Sequence, residues 1–262
     1  MKIFSTNNPK VKEILRLHKK KNFRDEQHII IVEGHKEIQM ALKKYRPHEL
    51  FIYKKICGSI SSIEKKFPSV IEIHASVFKK ISYRNESGGI IATFHRHDLS
   101  IKELQLPKNP IILILVGIEK PGNLGAILRS AEAIGTDAII FSEIKTDIFH
   151  PNVIRSSLGT IFLQQVIIYQ SNELIEWLKK KKITILATSI RENTINIYES
   201  NLRAGIAIIV GNESLGLSNH WINISDLLLK IPMHGRIDSL NVSNAVAVIL
   251  FEVLRQRICK NY

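Results

Sequence analysis

The stretch IILILVGIEKPGNLGAILR, residues 111–129, decides the fold of this chain. Its first six residues are apolar without a polar break, which is typical of a strand that is covered on both faces in a parallel α/β sheet. Pro121 and Gly122 then predict a turn, and Asn123 is placed to cap a helix over residues 124–134. Because backbone N–H groups point outward at the start of such a helix, this turn suits an anion or a polar ligand.

The same turn excludes two common nucleotide-binding loops. It lacks the Gly-Lys-Ser/Thr ending of a P-loop, and it does not match G-x-G-x-x-G followed by an acidic residue. Arg129 lies six residues after Asn123, nearly two helical turns on, so that both side chains can reach one cleft. For each residue a structural role, as a helix cap or a surface charge, stays open beside the functional one.

A second stretch, IIVGNESLGL, residues 208–217, repeats the pattern of a buried strand that ends in a polar loop. The strand ends at Gly211, which allows close backbone approach. Asn212 and Glu213 follow at the carboxyl edge, where open α/β sheets place their ligands. The alternative role for Glu213 is to cap the next helix.

A third stretch, IPMHGRIDSLNVS, residues 231–243, joins a predicted strand to the last helix of the chain. That helix carries one apolar stripe at helical spacing. Ser239 or Asn241 is placed to cap it. Met233 suits either the core or contact with a flat ring. Three strand ends with polar loops therefore predict one site in the C-terminal part of the chain.

The charge of the chain is uneven. Of the net +13 over 262 residues, twenty Lys/Arg against ten Asp/Glu lie up to Asp98, which leaves only +3 for the remainder. A basic surface attracts nucleic acid phosphates, although a solubilising surface explains the charge equally well. Predicted strands at 29–32, 50–53, 70–73 and 90–94 and a helix at 35–45 make this part a small α/β domain. We predict a basic α/β domain over 1–98, a linker over 99–109 and a second α/β domain over 110–262, which carries the three polar loops.

Composition argues against several other classes. The two cysteines, Cys57 and Cys259, have no metal-ligand spacing, which argues against zinc and against a disulfide framework. The polar start of the chain does not resemble a signal peptide, and the longest apolar run is too short to cross a bilayer. We therefore expect a cytoplasmic protein without a bound metal and without a membrane anchor.

Together the three stretches resemble the motifs of the SpoU, or TrmH, family of RNA methyltransferases in the SPOUT superfamily. The resemblance rests on Pro-Gly-Asn-x-Gly-Ala-Ile-x-Arg-Ser-Ala, Val-Gly-Asn-Glu-x-x-Gly-Leu, and Ile-Pro-Met with Ser-Leu-Asn-Val-Ser, in this order. It covers the chain from Ile111 onward. The N-terminal part resembles the substrate-binding domain of the family more weakly, mainly through Val32–Gly34.

The resemblance implies an α/β catalytic domain with a deep trefoil knot, S-adenosylmethionine as cofactor and a homodimer. It implies cofactor contacts, largely through backbone groups, at Gly211, Ile231 and Leu240, with Met233 and Thr188 in the same pocket. The polar active-site positions of the family correspond to Asn123, Arg129, Glu213, Ser239 and Asn241.

The implied reaction is 2′-O-methylation of a ribose in RNA. The two-domain layout favours ribosomal RNA over transfer RNA. Alternatives are transfer RNA ribose methylation, methylation of a base, a non-catalytic RNA-binding protein, and a nucleotide-dependent dehydrogenase or ATPase. The family proposal that the arginine acts as a base is awkward for Arg129, because guanidinium is a very poor base. A phosphate clamp is the other role for this residue.

Overall fold

A computed structural model describes residues 2–83, 88–191 and 193–259. The chain forms two compact units. Unit 1 comprises Met1–Asp98 and Asp147–Leu163, and unit 2 comprises Leu99–Thr146 and Gln164–Tyr262. Both units combine a sheet with helices, which confirms the predicted α/β class.

The strands are β1 (Lys2–Ile3), β2 (Ile29–Glu33), β3 (Pro47–Ile52), β4 (Ser69–Ile73), β5 (Ile90–His95), β6 (Ile111–Val116), β7 (Ala138–Ser142), β8 (Val166–Ile168), β9 (Thr184–Thr188), β10 (Ile195–Asn196), β11 (Ile206–Val210) and β12 (Leu227–Lys230). The helices are α1 (Pro9–Lys19), α2 (Lys21–Gln27), α3 (His35–Ala41), α4 (Ser61–Glu64), α5 (Ala75–Ile81), α6 (Pro121–Ile134), α7 (Pro151–Ser156), α8 (Ser171–Lys180), α9 (Asn219–Ile224) and α10 (Val242–Ile258).

Unit 1 is built on a mixed five-stranded sheet in the order β1-β4-β3-β5-β2. β5 runs antiparallel to both of its neighbours, whereas β1, β4 and β3 are parallel. α1, which the sequence reading did not predict, starts with Pro9 after the capping residue Asn8. Its residues Val11, Ile14 and Leu17 are spaced three apart and bury one face of the helix in the core of the unit.

Unit 2 is built on a seven-stranded sheet in the order β10-β12-β9-β11-β6-β7-β8, and all pairs among the described strands are parallel. Every residue of β6, β7 and β11 is buried, as expected for strands with covered faces. Because parallel strands end at the same edge, the loops that follow β6, β9, β11 and β12 meet there.

The predicted domain boundaries differ from the structure in two places. Asp147–Leu163, assigned to the catalytic domain by sequence, belongs to unit 1, where α7 packs on β2 and Asp147 forms an ion pair with the buried Arg24. Residues 99–109, expected to be a linker, belong to unit 2, since Leu99, Leu104 and Leu106 pack against its core.

Two predicted helix bounds also differ. α3 ends at Ala41, short of the predicted residue 45. α6 begins at Pro121, so that Asn123 lies inside its first turn and Lys120 occupies the capping position. Proline suits this first position because it has no N–H to satisfy.

Candidate active site

The loops at the carboxyl edge of the unit 2 sheet enclose a cavity of about 380 Å³, called here the loop cavity. Thr188 ends β9, Gly211 follows β11, and the third loop follows β12. All five residues expected to contact the cofactor line this cavity, together with two of the expected polar residues. These residues are Thr188, Gly211, Ile231, Met233 and Leu240, with Glu213 and Ser239.

The chemistry of the lining fits a nucleoside that carries a charged tail. The buried side chains of Val210, Leu229 and Ile249 offer an apolar wall for a flat ring. Arg191 and Asp238 bring charges of both signs to the same cavity. Ligand pockets commonly combine a mostly apolar wall with a few polar groups that fix orientation. Among the described residues, no cluster of three or more His, Cys, Asp or Glu side chains is arranged to hold a metal ion.

Gly211 is required by the packing of its own loop. A Cβ atom at this position would lie 2.4 Å from the carbonyl carbon of Gly216 and 2.7 Å from the backbone nitrogen of Leu217. Backbone atoms cannot move aside as a flexible side chain can, so any larger residue must displace the loop that lines the cavity.

Asn212, which was not predicted as a site residue, joins two of the loops. Its Oδ1 accepts hydrogen bonds from the backbone N–H groups of Ser214 (2.9 Å) and Leu215 (3.0 Å). Its Nδ2 donates to the carbonyl of Gly117 (2.9 Å), at the end of β6. An asparagine directly after a glycine at a strand end was a usable signal, since asparagine side chains commonly bond to the backbone of turns.

A chain of hydrogen bonds connects three of the predicted polar residues. Asn241 Nδ2 donates to Asn123 Oδ1 (3.2 Å), and Asn123 Nδ2 donates to Glu213 Oε1 (2.9 Å). Asn241 also caps α10, because its Oδ1 accepts from the backbone N–H of Ser243 (2.9 Å). The three loops predicted by sequence are therefore held together by side chains that the sequence reading selected.

Glu213 ends this chain at the start of α6. Its carboxylate accepts hydrogen bonds from the backbone N–H groups of Glu119 (3.3 Å) and Lys120 (3.4 Å). Burial alone would raise the pKa of Glu213, but the hydrogen bonds from Asn123 and these N–H groups outweigh burial and lower its pKa. Glu213 is thus ionised at neutral pH, and its backbone hydrogen bonds reach the two residues before α6 instead of the helix that follows its own loop.

Arg129 is the predicted site residue that neither lines the loop cavity nor joins the hydrogen-bond chain. It lies on α6, exposed, and outside the lining of the loop cavity. Six residues turn an α-helix by roughly 600°, so that Arg129 points about 120° away from Asn123 around the helix axis. Within residues 2–83, 88–191 and 193–259 it has no hydrogen-bond or ion-pair partner, which leaves its guanidinium available to a ligand.

Comparisons with known proteins identify the family of the chain. The SpoU rRNA Methylase family matches residues 110–251, and the MRM3-like substrate binding domain matches residues 8–92. The 23S rRNA (guanosine(2553)-2′-O)-methyltransferase RlmP of Bacillus subtilis (strain 168) is 28% identical over 96% of this chain and 98% of that protein. The match covers only 50% of a second relative, the 23S rRNA (uridine(2479)-2′-O)-methyltransferase of Streptomyces viridochromogenes, which is 34% identical over 53% of this chain.

Two solved structures are similar over almost the whole chain. The crystal structure of an RNA 2′-O ribose methyltransferase is 35% identical, with a TM-score of 0.83, and the match covers 98% of this chain and 100% of that chain. The AdoMet-bound rRNA methyltransferase from Sinorhizobium meliloti is 25% identical, with a TM-score of 0.89 and 99% coverage of both chains.

The fold and these comparisons thus define an α/β methyltransferase whose cofactor is S-adenosylmethionine. With a family match over more than half of its length, the chain belongs to the SpoU rRNA methylase family. The family resemblance, the enzyme class and the cofactor predicted from the three sequence stretches are confirmed.

Proposed function

We propose that this protein methylates the 2′-oxygen of a ribose in ribosomal RNA. The observation that carries the proposal is the loop cavity, where all five expected cofactor residues meet beside the Asn241–Asn123–Glu213 chain. Similarity to a 23S rRNA methyltransferase over nearly the full length of both chains supports ribosomal RNA as the substrate.

Different residues of the chain have different roles in the proposed reaction. Bound S-adenosylmethionine supplies a methyl group that its sulfonium charge has already activated. The protein therefore has to align the ribose and remove a proton from a weakly acidic hydroxyl. Asn123, Glu213 and Asn241 hold the loops in register, and Ser239 presents its polar group at the cavity.

Arg129 binds the RNA beside the target ribose in this proposal. Its guanidinium stays protonated at neutral pH and presents a planar set of donors that matches a phosphate group. Because Arg129 is exposed and unpaired within the described part of the chain, it can take such a phosphate without breaking another contact. We favour this role over that of a base for the 2′-hydroxyl.

Capture of the RNA is assigned to the basic part of the chain. Residues up to Asp98 carry twenty Lys/Arg against ten Asp/Glu. The match of residues 8–92 to a substrate binding domain supports the same role. We extend this domain by Asp147–Leu163, which pack with it in unit 1.

We further propose a cytoplasmic homodimer with the knotted backbone that the family resemblance implies. Large apolar side chains on α10 support an interface, since Phe251 and Ile258 are 51% and 68% exposed. The described residues include no helix that is long and apolar enough to cross a membrane. Sedimentation of the wild type as a dimer and of Phe251→Asp as a monomer would support this assembly, whereas a monomeric wild type would contradict it.

Radiolabelled methyl transfer tests the substrate. Ribosomal RNA and transfer RNA from cells that lack the gene are incubated separately with the full-length protein and labelled S-adenosylmethionine. We expect label in ribosomal RNA alone. Label in transfer RNA alone would overturn the substrate, and no label in either RNA would overturn the activity.

A further inference from the structure

Unit 1 contains a cavity of its own, whose lining shares no residue with the loop cavity. It measures about 300 Å³ and is called here the unit 1 pocket. Its apolar wall consists of the buried side chains of Ile31, Pro151 and Ile154, from β2 and α7. Pockets of this size lie at the lower end of the range for small-molecule sites.

His18 is the first sign that this pocket takes a ligand. The side chain is only 7% exposed, lines the pocket, and makes no hydrogen bond of ordinary geometry at either ring nitrogen. Burial, followed by the charge of Arg24, lowers the pKa of His18 to about 4, against the weaker opposing effect of a poorly formed hydrogen bond with the Ile81 backbone. The neutral ring has one donor and one acceptor, and leaving a buried one without a well-formed hydrogen bond is costly.

The shape of the pocket suits a flat ring. Tyr83 lies nearly parallel to His18, with ring centroids 5.9 Å apart and an interplanar angle of 18°, and it is 44% exposed. Gly34 and Gly88 in the lining have no side chain, so neither fills the pocket. A planar group can therefore contact the tyrosine ring and reach the edge of His18.

The charges of the lining favour an uncharged nucleobase over a free anion. Lys36 and Arg155 are balanced by the carboxylates of Glu33 and Glu37. A carboxylate repels an anion that enters the interior, whereas the exposed Lys36 can hold a phosphate outside it. A neutral, planar ligand with a phosphate on one side has the matching distribution of charge.

We propose that the unit 1 pocket binds the base of one unpaired nucleotide of the RNA, with the base against Tyr83, its edge on His18 and its phosphate near Lys36 and Arg155. Sequence-specific RNA recognition typically takes an unstacked base onto an aromatic side chain in this way. The inference rests on the proposed function, because that function makes RNA the source of the nucleotide.

Fluorescence anisotropy with short RNA tests the pocket. The probes are labelled hexauridylate and three variants of it that carry A, C or G at the third position. We expect Tyr83→Ala in the full-length protein to weaken binding of the preferred hexamer roughly ten-fold, as loss of one stacked base does. Phe4→Ala is the matched control, since Phe4 is an aromatic side chain of the same unit, exposed and outside the pocket. It should change binding less than about two-fold.

A lysine pair tests the position of the phosphate. Lys36→Ala should reduce the slope of log affinity against log salt by about 0.7, the value for one phosphate contact on a single strand. Lys43→Ala removes the same charge from an exposed position just after α3, outside the pocket, and should leave the slope unchanged. His18→Phe keeps a ring and removes both nitrogens, so it should abolish the preference among the four hexamers.

Two results would overturn the inference. One is hexamer binding that Tyr83→Ala and Phe4→Ala affect equally. The other is competition by free mononucleotides at the affinity of the hexamer, which would make a metabolite the ligand. Methyl transfer by the wild type is measured separately on full-length ribosomal RNA. If ribosomal RNA is labelled but Tyr83→Ala does not weaken hexamer binding, only the proposal for this pocket is wrong. If Tyr83→Ala weakens hexamer binding but ribosomal RNA is not labelled, only the proposed function is wrong.

Discussion

The loop cavity of unit 2 and the pocket of unit 1 are assembled in different ways. The loop cavity collects the ends of neighbouring parallel strands, so that residues from the loops after β9, β11 and β12 arrive at one edge. The unit 1 pocket collects α1, β2, α3 and α7 around a mixed sheet, and α7 comes from the segment that follows β7. In a parallel sheet, the ends of the strands predict where a ligand site lies. A site built from helices and an inserted segment has no comparable pattern in the sequence.

Arg129→Ala should have the largest effect if unit 2 carries the chemistry. We expect methyl transfer at saturating cofactor to fall roughly 10²-fold or more, because loss of the phosphate contact misplaces the target ribose. The affinity for S-adenosylmethionine should not change, because Arg129 does not line the loop cavity. Single-turnover kinetics and calorimetry measure the two quantities.

Arg129→Lys and Arg203→Ala sharpen this prediction. Lysine keeps the charge, so a phosphate clamp predicts partial recovery of the rate. Arg203 is also exposed on unit 2 and lies outside the loop cavity, and its loss should change the rate less than about three-fold. Activity of Arg129→Ala within a few-fold of the wild type would remove this residue from the site.

Gly211→Ala should come next. The added Cβ meets the Gly216 backbone, and overpacking of this kind costs about 1–3 kcal/mol. Because the displaced loop lines the cavity, we expect roughly ten- to hundred-fold weaker cofactor binding by calorimetry. Gly235→Ala is the matched control, since a Cβ there has no atom within 4 Å. Equal effects of the two substitutions would show that the tight loop does not shape the cavity.

His18 should make unit 1 the more acid-sensitive of the two units. Its folded pKa of about 4 lies below the usual 6.5, so its contribution to stability is present above pH 6.5 and is lost as the pH falls toward 4. Between pH 7 and pH 5 the loss should be about 2 kcal/mol. Pulse proteolysis in urea, with fragments of unit 1 identified by mass spectrometry, measures it. His18→Phe should remove most of this dependence, and an unchanged dependence would refute the assignment.

Asn123→Ala should have the smallest effect, about 1 kcal/mol of stability at neutral pH, because it deletes the hydrogen bond to Glu213 and the exposed one from Asn241. The pKa of Glu213 should rise toward its usual value of about 4.3, and carboxyl NMR titration would follow it. In the wild type, Glu213 contributes to the free energy of unfolding above this pH, and the contribution is lost as the pH falls through the folded pKa. The free energy of unfolding of the variant should therefore fall less between neutral and acid pH. Asn172→Ala, at an exposed position of α8, should leave that pKa unchanged.

The sequence was informative where a local pattern determines a local structure. Unbroken apolar strands and the polar residues after them located β6, β11 and the loop cavity. Asp147–Leu163 could not be assigned to unit 1 from sequence, because its packing on β2 depends on contacts between distant segments. The hydrogen bonds of Asn123 and Glu213 could not be predicted for a related reason. The sequence does not show whether a polar side chain bonds to its own helix or to a distant segment.

The central claim, that unit 2 directs methyl transfer to a ribose oxygen, is tested most directly by the position of the transferred methyl group. Ribosomal RNA is labelled by the full-length protein with isotopically marked S-adenosylmethionine, digested to nucleosides and analysed by mass spectrometry. We predict that the label lies on the ribose of one nucleoside and is absent with Arg129→Ala. Label on a base, or equal label with the variant, would contradict the account.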